Sequence, residues 1–409
     1  MKILLITDNF PPETNALANR SYEHALAWKS MGHKVTVVTC FPNYPAGKIH
    51  DGYHNRWRRD EIMEGLHVVR VISFMAPNRG IFLRTLDHGS FAVTAALASF
   101  GLEKPDVVVG TSPQFLQAFG AWAASRIKKA PFFFEVRDLW PASILAVGAM
   151  KRNVVIRVLE SMESFLYRQA AGVIPVTQSI CRDLNNRGVP EGKTEVVYNG
   201  VSLERFRPQP RDEKLAQQIG VAGKFVVGYL GTFGMAHALQ SVLEAARLTA
   251  GNPHIHFLLS GGGSEWEKIC EKKKQMRLEN VTVLISRQRE QMPRLWSLCD
   301  LALVHLKNAR LFETVIPSKM FEAMGMGVPL LLAMPHGEAC DIVNRYGAGE
   351  YVAAEDPQAL AHAVLRLAEQ PEVLARYREA GTAAASSFSR QSQAEKMIQF
   401  MKRTIGRAA

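Results

Sequence analysis

Residues 312–329, FETVIPSKMFEAMGMGVP, set a lysine and a carboxylate three positions apart just after a signal for a helix start. Pro317 suits a first helical turn, where its missing N–H costs nothing. Gly325 and Gly327, ahead of Pro329, end that helix within about two turns. The open N–H groups and positive dipole end over residues 314–319 then form a seat for an anion. Lys319 adds a full charge to the seat, and Glu322, about one turn further in, offers two acceptor oxygens to neighbouring hydroxyls. A phosphate beside a diol is the chemistry of a nucleotide. An ordinary capped amphipathic helix carries the same residues, so this spacing alone leaves both readings open.

A helix start presented this way needs a scaffold, and the rest of the chain has the pattern of one. Short apolar, β-branched runs recur at residues 3–7, 35–39, 68–72, 107–110, 132–136, 173–176 and 196–198. They continue at 226–230, 256–259, 281–285, 301–305, 330–333 and 351–353. The segments between are long enough for helices, which is the pattern of parallel strands buried on both faces. In residues 239–250, Leu239, Val242, Leu243, Ala246 and Ala250 fall on one helical stripe. The spacing predicts an α/β protein of two successive doubly wound, Rossmann-like domains. Pro208, Pro210 and a charged run mark residues 203–223 as the divide. The expected domains are 1–205 and 206–388, with a helix over 389–409 packing back on the first. Ligands of open α/β sheets sit beyond the carboxyl ends of the strands. Two such sheets facing each other would enclose a cleft with one substrate on each lip.

At 409 residues the chain exceeds one hydrophobic core, and 47% hydrophobic with 21% charged residues is the composition of a globular protein. The formal charge of +11 is spread evenly. Lys and Arg number 24 against 18 Asp and Glu up to Arg205, and 25 against 20 beyond it. No arginine-rich arm or RNA-binding aromatic motif accompanies the charge, so an anionic membrane surface or phosphorylated substrate fits better than nucleic acid. Cys40, Cys181, Cys270, Cys299 and Cys340 show no CxxC spacing, which points to a reducing compartment and away from zinc. The opening MKILLITDNF reads as a strand rather than a secretory segment. The longest apolar stretch, 91–102, is too short to span a bilayer.

Several motifs, in order, resemble the family 4 glycosyltransferases of the GT-B fold across nearly the whole chain. VVYNGVSLERFRP at 196–208 is similar to that family's interdomain signature. FPPE at 10–13, MGHKVTVV at 31–38, LSGGG at 259–263 and FEAMGMGVP at 321–329 match its other signatures. RDLWP at 137–141 and IPSK at 316–319 resemble the bacterial O-antigen and capsule branch that includes N-acetyl-L-fucosaminyltransferases. The resemblance implies retaining transfer of a sugar from a nucleotide-sugar donor on the second domain to an acceptor on the first. It favours UDP as carrier, N-acetyl-L-fucosamine or a related N-acetylated 6-deoxyhexose as sugar, and a polyprenyl-diphosphate-linked glycan as acceptor. The enzyme would work in the cytoplasm, peripheral to the inner face of the membrane. The chain has no Asp-x-Asp, so transfer without metal or other cofactor is expected, with Lys, Arg and helix dipoles at the phosphates.

Glu322 matches the family glutamate and is implied to bind the ribose. Thr314 replaces the other expected glutamate, with Glu313 one residue out of register. Thr232 follows Gly231 where many members carry arginine, and His237 stands at the position of a lysine. The diphosphate is therefore assigned to Lys319 and an arginine of residues 287–289, with Arg287, Arg289 and Lys307 as rivals. The backbone of Gly231, Thr232, Phe233 and Gly234, and of Thr314, Val315, Ile316 and Ser318, is expected to assist. Arg287 and Gln288 fall in the loop implied to hold the base.

In the first domain, Glu135 and Asp138 end a very apolar strand and are expected to reach the cleft, Asp138 being the stronger catalytic candidate. A structural ion pair with Arg137 is the alternative. Glu13, Thr14 and Asn15 stand where the family has glycines. Arg56, Arg58, Arg59, Arg79 and Arg84 around the apolar segment 78–102 suit a protein lying on an anionic leaflet, as they would suit a buried helix with solvated flanks. Two other functions fit the architecture: a nucleotide-sugar 2-epimerase, and a non-catalytic membrane scaffold built on a degenerate transferase.

Overall fold

A computed structural model describes residues 1–13, 15–43, 47–75, 81–112, 115–139, 141, 153–285 and 289–406. The chain forms two compact units, Met1–Asn199 with Arg390–Ala409, and Gly200–Ser389. In the first, β1 (Lys2–Ile6), β2 (Lys34–Cys40), β3 (Arg58–Met63), β4 (Leu66–Val71), β5 (Val107–Thr111), β6 (Phe132–Val136) and β7 (Gly172–Pro175) make one sheet. Its order is β3-β4-β2-β1-β5-β6-β7, parallel except for β3, which runs antiparallel to β4. β3 reads RRDEIM, too polar for the interior but suited to an edge strand. Residues 196–198 form no strand, although Val197 N still donates to Pro175 O (2.9 Å).

Side chains alternate across this sheet, so every strand but β3 feeds two cores. Leu4, Ile6, Val108, Phe132 and Phe134 meet Phe91, Ala118 and Ala121 from helices Ile81–Ser99 and Phe115–Lys128. Ile3, Leu5, Val37, Val107 and Phe133 meet Trp28 from helix Ala16–Ser30, and Met397, Phe400 and Met401 from helix Arg390–Gly406. That last helix is fixed to the unit by an edge-on contact of Phe400 with Phe133 (6.0 Å between centroids) and an Arg390–Glu23 ion pair (2.8 Å).

The second unit is wholly parallel. β8 (Phe225–Leu230), β9 (Ile255–Gly261), β10 (Val281–Ile285), β11 (Leu301–His305), β12 (Leu330–Ala333) and β13 (Gly349–Val352) follow the order β10-β9-β8-β11-β12-β13. This doubly wound order reverses direction between β8 and β11. The helix after β8, Leu239–Leu248, buries Leu239, Val242, Leu243 and Ala246, but ends early enough to leave Ala250 exposed. The units divide at Asn199 and Gly200, ahead of the proline-rich stretch, and Phe206 lies against helix Lys319–Met326 of the second unit. It is 2% exposed, and a Cβ added to Gly325 would lie 2.7 Å from its carbonyl oxygen. Among the described residues no helix is long and apolar enough to cross a membrane, and all five cysteines are unpaired.

Candidate functional site

The reversal between β8 and β11 is where a doubly wound sheet opens a crevice, and the loops leaving these two strands are tied together there. After β8 the chain turns through Gly231, passes the buried Phe233 and makes a 3-10 turn over Met235–His237. At the end of β11, His305 Nδ1 donates to His237 O (2.7 Å) and Lys307 N to Ala236 O (2.8 Å). A Cβ on Gly261 would fall 1.7 Å from Gly231 O, so only glycine lets β9 and this loop approach so closely.

Into this corner comes helix Lys319–Met326. Its N-cap, Ser318, makes no side-chain cap bond, and the N–H groups of Phe321 and Glu322 turn back to Ser318 O (3.1 and 3.3 Å). Gly327, left-handed at φ 70°, stops the helix after eight residues. Pro317 lies just outside, its carbonyl accepting from Met320 N (3.0 Å). Thr314 belongs to a separate 3-10 turn, Arg310–Thr314, where its hydroxyl donates to Leu311 O (3.0 Å). The seat therefore begins later than residue 314. Val315 N is turned back to Phe312 O (3.4 Å), Ile316 is buried, and Ser318 is half-buried.

Lys319 has a half-exposed stem, but its Nζ is sealed from solvent and makes no hydrogen bond. It rests 3.5 Å from the centroid of the Tyr229 ring, on β8. A Cβ on Gly231 would stand 2.6 Å from Nζ, so the glycine makes the room. Burial draws the lysine pKa down to about 7, against the pull of the Glu322 carboxylate. Tyr229 is buried and donates its hydroxyl to Thr232 O (2.6 Å). Glu322, one turn beyond Lys319, accepts from Trp296 Nε1 (3.3 Å), whose indole is buried at the end of helix Met292–Trp296. His237, at the family's lysine position, supplies no second cation: burial and the neighbouring Lys319 hold its pKa near 4. Burial does the same to His305.

Several expected contributors are committed elsewhere. Phe233 is wholly buried, its N–H donates to Gly262 O (2.8 Å) and its carbonyl accepts from Glu265 N (2.9 Å). Gly231 N donates to Ser260 O (2.8 Å). Thr232, which is exposed, and the half-buried Gly234 remain the donors of that loop. Arg287 and Gln288 lie outside the described residues, as does the side chain of Arg289. Lys307 is exposed.

In the first unit, Glu135 does not reach an open crevice. It is 5% exposed, with Arg20 Nε on Oε1 (2.8 Å) and the Thr111 hydroxyl on Oε2 (2.7 Å). Arg20, 1% exposed, also donates to Tyr198 O (2.6 Å) and Val197 O (3.0 Å). Burial pushes the Glu135 carboxyl upward, but Arg20, Arg137 and Thr111 outweigh it and hold the group below its usual range. Glu135 is thus the centre of a structural ion pair, and its partner is Arg20 rather than Arg137. Asp138 is half-buried beyond the end of β6. Its charge, after burial, helps raise the pKa of Glu163, on helix Val154–Gln169, to about 7. The first loop is also used by the fold: Glu13 accepts from Asn43 N (2.8 Å) and Asn15 caps helix Ala16–Ser30 through Ala18 N (2.8 Å). Thr14 lies outside the described residues, as do Arg79 and the side chain of Arg84. Helix Ile81–Ser99 and the residue after it expose Leu83, Leu86, Val93, Leu97 and Phe100, while Arg58 is tied to Asp60 (2.6 and 2.7 Å).

No motif in the sequence points to Tyr229, Trp296 or Arg20. Arg20 left a signal, since it shares a helical face with Leu17, His24 and Trp28 and so sits where apolar residues are expected. Tyr229 is the one hydroxyl-bearing residue of a strand that is otherwise FVVG and Leu.

Residues 15–200 match the family model "Glycosyl transferase 4-like domain", and residues 211–384 match "Glycosyl transferases group 1". The Escherichia coli (strain K12) protein WcaI, named for glycosyl transfer in colanic acid biosynthesis, is 25% identical over 339 residues, 80% of this chain and 82% of its own. Among solved structures, sucrose-phosphate synthase from Thermosynechococcus elongatus superposes with a TM-score of 0.78 at 17% identity, covering 100% of both chains. Anabaena Alr3699/HepE in complex with UDP-glucose gives 0.73 at 19% identity, covering 98% of this chain and 100% of that one. The two sheets are those of the GT-B fold.

Proposed function

The chain belongs to the glycosyltransferases of GT-B fold, and we propose on that premise that it transfers a sugar with retention from a UDP-sugar to a polyprenyl-diphosphate-linked glycan. The second unit holds the donor. The observation that carries this reading is Lys319, a buried lysine nitrogen with no hydrogen-bond partner, one helical turn ahead of the Glu322 carboxylate. A diphosphate at the helix start meets the lysine and the positive end of the helix dipole, and Glu322 accepts from the ribose hydroxyls. As the sugar leaves, negative charge grows on the departing diphosphate, where a fixed cation and aligned dipoles stabilise it most. Lys319 therefore acts on the leaving group, and the absence of Asp-x-Asp from the sequence supports transfer without a metal clamp.

Asp138 stays the acceptor-side candidate of the first unit. The sugar is an N-acetylated 6-deoxyhexose such as N-acetyl-L-fucosamine, in surface polysaccharide synthesis, a reading supported by the RDLWP and IPSK motifs. The exposed leucines of helix Ile81–Ser99 support work at the inner membrane surface. Thermal unfolding with UDP, GDP and their sugars tests the donor assignment. UDP-sugars at millimolar concentration raise the midpoint, and no shift with any of these nucleotides overturns the reading.

A further inference from the structure

We infer that Tyr229 is the positioning residue for Lys319: its ring face holds the lysine nitrogen with its hydrogen-bonding capacity unspent, and an anionic donor completes the site while one proton passes from solvent to the lysine. The inference rests on the reading of Lys319 as diphosphate ligand.

An ammonium carries three donors and is expensive to bury without acceptors. Lys319 is nevertheless sealed from water with none of them used, 3.5 Å from the Tyr229 ring centroid. The ring itself is immobilised. It is buried, its hydroxyl is held by Thr232 O at 2.6 Å, and Phe233 and His237 meet it edge-on at 6.0 and 6.1 Å. Gly231, directly beneath Nζ, keeps the approach clear. An aromatic face attracts a cation without fixing any of its N–H bonds. A carboxylate in that place would take them and compete with the donor's phosphates.

Among the described residues, the titratable groups facing Lys319 are Tyr229 on β8, His237 in the 3-10 turn, His305 on β11 and Glu322 on its own helix. Burial keeps Tyr229 a neutral phenol, and both histidines, with pKa near 4, are neutral from mildly acidic pH upward. Lys319 is the member of this group that changes charge around neutrality, burial having brought it to about 7. The diphosphate of a nucleotide sugar keeps both negative charges over the same range. Above the lysine's titration point the donor must therefore bring a proton in with it, and affinity falls up to about tenfold per pH unit.

Calorimetric titration of the full chain with UDP-N-acetylglucosamine, in two buffers of different ionisation enthalpy, counts that proton. The expected uptake is close to one at about pH 8.5 and close to none at about pH 5.5. Tyr229→Phe keeps this course. Tyr229→Leu shifts its onset to lower pH and weakens binding about threefold to tenfold near neutrality. Should the leucine variant not fold, Lys319→Met carries the test by binding weakly with no uptake at either pH. No binding at the acidic pH sinks the donor reading itself. Binding without proton uptake, or uptake that survives in Lys319→Met, overturns this inference alone, and an unchanged onset in Tyr229→Leu removes Tyr229 from it.

Discussion

Each unit contains a cation taken out of water, and the two are treated in opposite ways. Arg20 spends its guanidinium on Glu135 and on two backbone carbonyls, all within the first unit. Lys319 spends nothing, lying against a ring with its nitrogen shut away from solvent. A buried charge that is fully paired specifies architecture, whereas one left unpaired is a cost to the fold that a ligand can recover. The difference separates scaffold from site without reference to any family.

The comparison breaks most easily at Arg20. Arg20→Met leaves the buried Glu135 charged without its ion-pair partner, and should cost the first unit about 3–5 kcal/mol in denaturant unfolding. Adding Glu135→Leu should restore much of that loss. A small effect of the single change would mean that Arg20 is not structural. Lys319→Met should do the reverse, raising stability by about 1–2 kcal/mol at neutral pH while shrinking the thermal shift with UDP-sugars. The sign follows from the titrations. The folded lysine loses its proton near pH 7 and the unfolded one near its usual 10.5, so wild-type stability rises with pH between these values. The methionine variant's advantage is thus largest below pH 7 and shrinks above it, which melting curves across pH will show.

Glu322→Gln keeps an acceptor for Trp296 but removes the charge. Nucleotide affinity by titration calorimetry should fall about tenfold with little change in melting temperature. The smallest expected effect sharpens the contrast within the first unit. Glu163, 3% exposed, accepts from Tyr167 Oη (2.6 Å) and Arg187 Nη1 (3.1 Å), yet burial still raises its pKa to about 7. A carboxyl raised in the fold binds its proton more tightly there than in the unfolded chain. Stability is therefore lost as pH rises from the usual 4.5 towards 7. Glu163→Gln should match wild type near pH 4 and exceed it by about 1 kcal/mol near pH 8.

How legible each part was in the sequence follows from the range of the interaction behind it. Parallel strands announce themselves because burial on both faces demands continuous apolar runs, and the inner strands β8, β9, β11 and β12 are readable for that reason. β3 was not, since an edge strand is free to be charged. Lys319 and Glu322 were visible as a pair because three residues make one helical turn. The Tyr229 ring that holds the lysine belongs to β8, some ninety residues before the helix, and no local spacing encodes that approach. Glu135 misled for the same reason. Its place at a strand end suggests an open crevice, but the arginine that claims it comes from a helix far earlier in the chain.

The helix Arg390–Gly406 carries a consequence for biosynthesis. Phe400, Met397 and Met401 complete the core of the first unit, yet the ribosome must make all of Gly200–Ser389 before it makes them. The unit whose strands emerge first is therefore the last able to close, and the contiguous second unit can finish beforehand. Until then the sheet face around Phe133 and Ile174 is bare apolar surface on a nascent chain, the kind that chaperones shield.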